Sequence, residues 1–169
     1  ATLTNTPAPT NTPAARPTAT RPAATVAPAA PGVVLDFERD IVWRRGQQPY
    51  GTLTRAAEQV KEGKSAGKLA YDFAAVTDNY VVFEARPPLS IPGRPTGLTA
   101  WVYGDGAGHF LNVWLQDKAG EVRSYTFGQI KHQGWQQLTA WLNDQAPWPV
   151  GHISGANNQK LDYPVSFFA

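Results

Sequence analysis

The stretch from Thr96 to Phe127 constrains the fold of this chain more than any other. It holds three runs rich in β-branched and aromatic residues, Leu98 to Tyr103, Phe110 to Leu115 and Val122 to Phe127, separated by glycine-rich breaks. Gly104-Asp105-Gly106 and Lys118-Ala119-Gly120 supply the positive-φ positions that tight hairpins need, so the runs read as consecutive strands. From residue 32 onward short apolar runs recur roughly every 8 to 12 residues, the spacing of a β-sandwich. Strands are predicted near 33–38, 67–73, 79–86, 97–104, 109–117, 121–127, 135–142 and 164–169. Leu53, Ala56, Ala57 and Val60 fall at helical spacing, but with strands on both sides a strand over Tyr50 to Arg55, then a turn or short helix, is favoured. The expected fold is therefore all-β: an antiparallel β-sandwich over residues 32–169, with Leu69, Phe73, Leu98, Val102, Leu111, Val113 and Leu115 in one core.

Residues 1–31 cannot join that core. Ala, Thr and Pro fill 25 of the 31 positions, the only charges are Arg16 and Arg21, and Thr4-Asn5-Thr6-Pro7-Ala8 returns as Thr10-Asn11-Thr12-Pro13-Ala14. Proline every few residues forbids helix and interrupts any ladder, which leaves an extended polyproline II arm, semi-rigid at ~3.1 Å per residue. Thr/Pro-rich stalks of this kind sit outside cells and are often O-glycosylated.

The chain carries 15 basic and 13 acidic residues; setting Arg16 and Arg21 aside leaves 13 against 13. The sandwich is formally neutral, and no basic stripe interleaved with aromatics runs through it, so nucleic acid is not an expected partner. Cysteine is absent, which excludes disulfides and thiolate metal sites within this sequence. No apolar run approaches the ~18 residues of a membrane span. The chain opens on Ala1, shows no signal peptide and contains no methionine, so it is expected to be a processed or excised piece of an exported product, placing it outside the cell or on its surface.

Period-two alternation sorts the strand residues into faces. Leu98, Ala100 and Val102 oppose Thr99, Trp101 and Tyr103, while Leu111, Val113 and Leu115 oppose Phe110, Asn112, Trp114 and Gln116. With the aliphatic sets as core, Trp101, Tyr103, Asn112, Trp114, Gln116, Arg123 and Tyr125 are expected on one outer face. Indole stacks on the C–H face of a pyranose while amides and guanidinium bond its hydroxyls, so such a face suits a polysaccharide or glycan. Equally open is a second aromatic core layer under loops.

Leu35-Asp36-Phe37-Glu38, Gly63-Lys64-Ser65 leading into Lys68 to Phe73, Trp101-Val102-Tyr103-Gly104-Asp105-Gly106, Leu111 with Asp117, Gly120-Glu121 and Gly134-Trp135 occur in order over about residues 33–142. This series resembles the galactose-binding-like jelly-roll modules, among them carbohydrate-binding modules of bacterial extracellular proteins. The resemblance implies a jelly roll of eight to ten strands, a frequent sugar ligand and often a structural calcium, which would fall near Asp36 and Glu38. Two carboxylates supply too few of the 6 to 8 oxygens calcium takes. The family closes with two further strands, whereas this sequence stops at Val165-Ser166-Phe167-Phe168-Ala169. An edge left open along the opening strand is therefore expected, inviting self-association through that edge, the arm, or both.

Catalytic motifs are weak. Gly63-Lys64-Ser65-Ala66-Gly67 matches G-x-S-x-G but precedes a strand where a nucleophile elbow precedes a helix, so it reads as a turn. His109, His132 and His152 lack zinc-site spacing, and Asp117 and Glu121 flank a hairpin where carboxylates ordinarily cap turns. The chain is expected not to be an enzyme. Two function classes remain: a non-catalytic extracellular carbohydrate-binding or accessory module on a Thr/Pro tether, and a structural subunit of a bacterial surface layer or extracellular filament that contacts further copies of itself.

Overall fold

The computed structural model describes residues 32–73 and 79–169; the Thr/Pro arm and every expectation attached to it lie outside the described residues. These residues form β1 (Val42–Arg45), β2 (Gly51–Ala56), β3 (Ala66–Tyr71), β4 (Phe83–Arg86), β5 (Leu89–Ile91), β6 (Gly97–Asp105), β7 (Phe110–Gln116), β8 (Val122–Gln129), β9 (Gln133–Trp141), β10 (Gly151–Ser154) and β11 (Val165–Phe167). No helix occurs among them, and every ladder is antiparallel. A five-stranded sheet runs β10-β8-β7-β11-β5, and β6-β9, β1-β4 and β2-β3 form two-stranded ribbons. A bond from Ala85 N to Phe168 O, 2.8 Å, ties the β1-β4 ribbon to the tail that follows β11.

The core lies between the five-stranded sheet and the β6-β9 ribbon. Ile91, Val113, Leu115, Tyr125 and Val165 from the first meet Ala140 from the second, with Leu98, Leu142 and Phe127 packed around them. This is the expected all-β sandwich. Its four sheets do not by themselves trace the jelly-roll circuit that the resemblance implies.

Several expectations are corrected. Residues 33–38 form no strand: Phe37 takes φ 56, and Asp36 Oδ1 accepts the Glu38 amide, 3.1 Å, so the chain turns where hydrophobicity suggested extension. The Phe37 ring then lies flat on Gly67, where an added Cβ would sit 2.2 Å from a ring carbon. With no opening strand at 33–38, the edge expected along it does not exist. Residues 165–167 run inside the large sheet, paired with β5 on one side and β7 on the other. Leu69 is 37 % exposed and does not join the core, while Phe73 joins a separate aromatic group with Tyr50, Tyr71 and His109.

Candidate functional site

The seven residues expected on one outer face occupy three places. Trp101 and Tyr103 are on the outer side of β6, since the alternate residue Leu98 pairs with buried Ala140. Asn112, Trp114 and Gln116 are on β7, on the side away from Val113 and Leu115, and so on the opposite surface of the sandwich. Arg123 and Tyr125 are buried. The β7-β8 register sets Tyr125 opposite Val113 and Arg123 opposite Leu115, on the core face, with 0 % and 3 % exposure. Cross-strand partners share a face, so no rotation of side chains returns them to the surface.

The outer face of the β6-β9 ribbon is aromatic along its length. The register pairs Gly97 with Trp141, Thr99 with Thr139, Trp101 with Gln137, Tyr103 with Trp135 and Asp105 with Gln133, all pointing outward. Trp101, Tyr103 and Trp141 are 40 %, 50 % and 66 % exposed, and Tyr103 meets Trp135 edge to face at 5.4 Å. Two charges flank this strip. Lys61 Nζ lies 4.4 Å above the Trp101 ring, and Asp105 accepts the Tyr71 hydroxyl at 2.7 Å and the Ala107 amide at 2.9 Å. Burial, and next the bond to Asp105, push the Tyr71 pKa up to about 12; the same bond holds Asp105 below the usual carboxylate range, so Asp105 is an anion at neutral pH.

On the far surface, Trp114 floors a shallow cleft of about 460 Å³ between Arg44, Arg45, Gln47, Gln48 and Tyr80. Gln48 Nε2 donates to the Tyr80 hydroxyl at 2.8 Å, and Arg44 is tied to Glu84 at 2.5 Å.

The buried pair Arg123 and Tyr125 belongs to a polar clasp that fastens the segment 143–163 to β8. Glu121, with 0 % exposure, accepts Arg123 Nη1 at 2.8 Å, the Asn158 amide at 3.0 Å and faces His152 Nδ1 at 3.3 Å. Asp144 accepts Arg123 Nε at 3.1 Å, the Tyr125 hydroxyl at 2.5 Å and the Leu161 amide at 2.9 Å. Asp117 holds the amides of Glu121 and Asp162. Burial alone would raise the Glu121 pKa, yet the donors around it more than offset that and lower it; burial and the bond to Asp144 push Tyr125 up. Every carboxylate oxygen of Asp117, Glu121 and Asp144 accepts a bond inside the clasp, which fastens the segment 143–163 to β8.

Asp36 and Glu38 alone do not make a calcium site: Asp36 Oδ1 accepts the Glu38 amide and lies 3.7 Å from Arg39, while Glu38 Oε1 accepts the amides of Lys64 and Ser65 at 2.5 and 2.8 Å. Among the described residues no three His, Cys, Asp or Glu side chains group as metal ligands. The donor set is short of the oxygens that calcium needs.

Sequence reasoning missed Lys61, Trp135 and Trp141 on the ribbon, Gln48 and Tyr80 in the cleft, and Asp144 in the clasp. The ribbon residues were within reach, since Trp135 and Trp141 keep odd parity with Gln137 and Thr139 along β9. Lys61 and Asp144 come from turns, where no periodicity points a side chain.

Comparison with known proteins adds one match. The family model described as Flagellar filament outer layer protein Flaa matches residues 93–153, which hold β6 to β9 and most of β10. No curated protein and no solved structure matches the chain. The chain is thus an all-β sandwich of which about a third is similar to a filament outer-layer family.

Proposed function

We propose that this chain is a non-catalytic structural subunit of an extracellular filament or surface layer, presented on a Thr/Pro-rich tether. The observation that carries this reading is the match of residues 93–153 to the filament outer-layer family, because that segment supplies both halves of the sandwich core and the whole aromatic ribbon. The match favours a filament subunit over a carbohydrate-binding module, for which no comparison speaks. Cell-surface placement, neighbouring copies as partners and O-glycosylation of the arm are parts of the same proposal. They are supported by the family's description and by the arm's Ala/Thr/Pro composition.

A structural role also agrees with the clasp, whose carboxylates are tied to Arg123 and to backbone amides inside the fold. The test is to shear filaments from cells that produce the chain and probe both fractions with an antibody to residues 32–169. Recovery with the filaments is expected; recovery only with the cell body or the medium would overturn the reading.

A further inference from the structure

We propose that the outer face of the β6-β9 ribbon is a docking surface for the same face of a second copy of this chain, in antiparallel orientation about a two-fold axis near Tyr103. The proposal rests on the filament reading for its biological setting, but its geometry stands on this chain alone.

Exposed aromatic area distinguishes this face. Trp101, Tyr103, Trp135 and Trp141 line one side of a two-stranded ribbon, and the three most exposed keep 40 % or more of their surface in water. From Trp135 to Trp141 the strip spans six residues, roughly 20 Å at ~3.3 Å per residue. Exposed aromatic side chains gathered on one sheet face mark contact sites, and Trp and Tyr are the residues that dominate contact energy.

A two-fold axis in the contact plane, crossing the strands at Tyr103, superposes position 101 of one copy on position 105 of the other. That operation carries Lys61, seated over Trp101, onto Asp105, the anion at the opposite end of the strip. The face is thus complementary to itself, with a cation and an anion equidistant from the axis, as an isologous contact requires. The described sandwich lies within a segment of 13 basic and 13 acidic residues, so no net charge opposes the approach of two copies.

Size sets the expected strength. About an axis at Tyr103 the two copies overlap over residues 101–105 of β6 and 133–137 of β9, a face of roughly 15 by 10 Å, well short of the ~800 Å² per partner of a stable pair. The contact is therefore weak for one pair and becomes firm only where many copies are held side by side, as in a layer around a filament.

The test is sedimentation velocity on the full chain over a wide concentration range. Reversible, concentration-dependent association is expected, weakened about tenfold or more by Trp101→Ser, at an exposed position inside the overlap. The charge pattern gives a sharper arm. Lys61→Glu alone and Asp105→Lys alone each set like charges together across the axis, so each should be monomeric, whereas an equimolar mixture of the two should associate. Because Asp105 also holds Tyr71, circular dichroism must first show that Asp105→Lys folds; if it does not, Trp101→Ser and Lys61→Glu decide. A chain that stays monomeric at every concentration, or whose association ignores these substitutions, overturns the docking surface. So does monomeric chain retarded by a soluble polysaccharide in a Trp101-dependent way, which would make the strip a glycan site. Monomeric chain recovered on filaments would sink the surface and leave the filament reading standing; association through this face with no chain on filaments would do the reverse.

Discussion

Replacing Glu121 by Gln removes one charge from the clasp while keeping its shape. Arg123, whose side chain is 4 % exposed, would lose the partner 2.8 Å from Nη1 and keep only Asp144 at Nε. The new amide carries one oxygen and one N–H₂, so it can still accept from either Arg123 Nη1 or the Asn158 amide but must turn its N–H₂ toward the other, itself a donor. Breaking a buried ion pair by removing one member costs about 3–5 kcal/mol. Asp144 still compensates part of the charge, so the lower end, about 3 kcal/mol, applies. At roughly 3 °C per kcal/mol for a folded unit of this size, the melting temperature should fall by about 10 °C. Urea titration and thermal melts followed by circular dichroism measure it, with Lys160→Gln as control. Lys160 pairs with Asp162 at 65 % and 35 % exposure, and such a surface pair contributes less than ~1 kcal/mol. A Glu121→Gln loss no larger than that of Lys160→Gln would refute the view that the clasp holds the 143–163 segment on the sandwich.

Acid should act on the same group: a folded pKa held below the ordinary glutamate value contributes stability above that value and loses it as the pH falls through the lowered one, so the urea midpoint should drop between about pH 5 and pH 2. A flat profile over that range would contradict it. Val113→Ala, at a position 2 % exposed, removes two methyl groups from the core and should cost on the order of 2 kcal/mol by denaturant titration. Gly155→Ala should cost at least about 2 kcal/mol in the same assay, since its φ is +83 and a Cβ there would stand 2.2 Å from the Gly120 carbonyl oxygen. Chelator should leave the melting temperature unchanged; a rise of several degrees on adding calcium would restore the site near Asp36 and Glu38.

The strands most legible in the sequence were the long ones with clean alternation. β6, β7 and β9 each pair an aliphatic side with a polar or aromatic side, and their positions and inward faces follow from that pattern alone. β1, β5 and β10 were missed because four residues such as Val42-Trp43-Arg44-Arg45, or three between prolines such as Leu89-Ser90-Ile91, are too short to show a period. At β8 the pattern misled for a physical reason. The strand is central in its sheet and buried on both sides from Val122 to Tyr125, so Arg and Tyr, placed outside by polarity, are inside with Glu121 and Asp144 as partners. Only Phe127, of the same parity and packed on the core, hinted at it. The candidate site was legible in part. Alternation set Trp101 and Tyr103 outward correctly, but it carried no information on which surface of the sandwich each strand would face, so residues of two opposite surfaces and the interior were expected together.

The filament assignment is most directly tested by electron cryomicroscopy of filaments purified from cells that produce this chain. The account predicts an outer layer of repeating β-sandwich density into which residues 32–169 fit, with the β6-β9 ribbons of adjacent copies face to face. Filaments whose outer density is fully explained by other chains would contradict it.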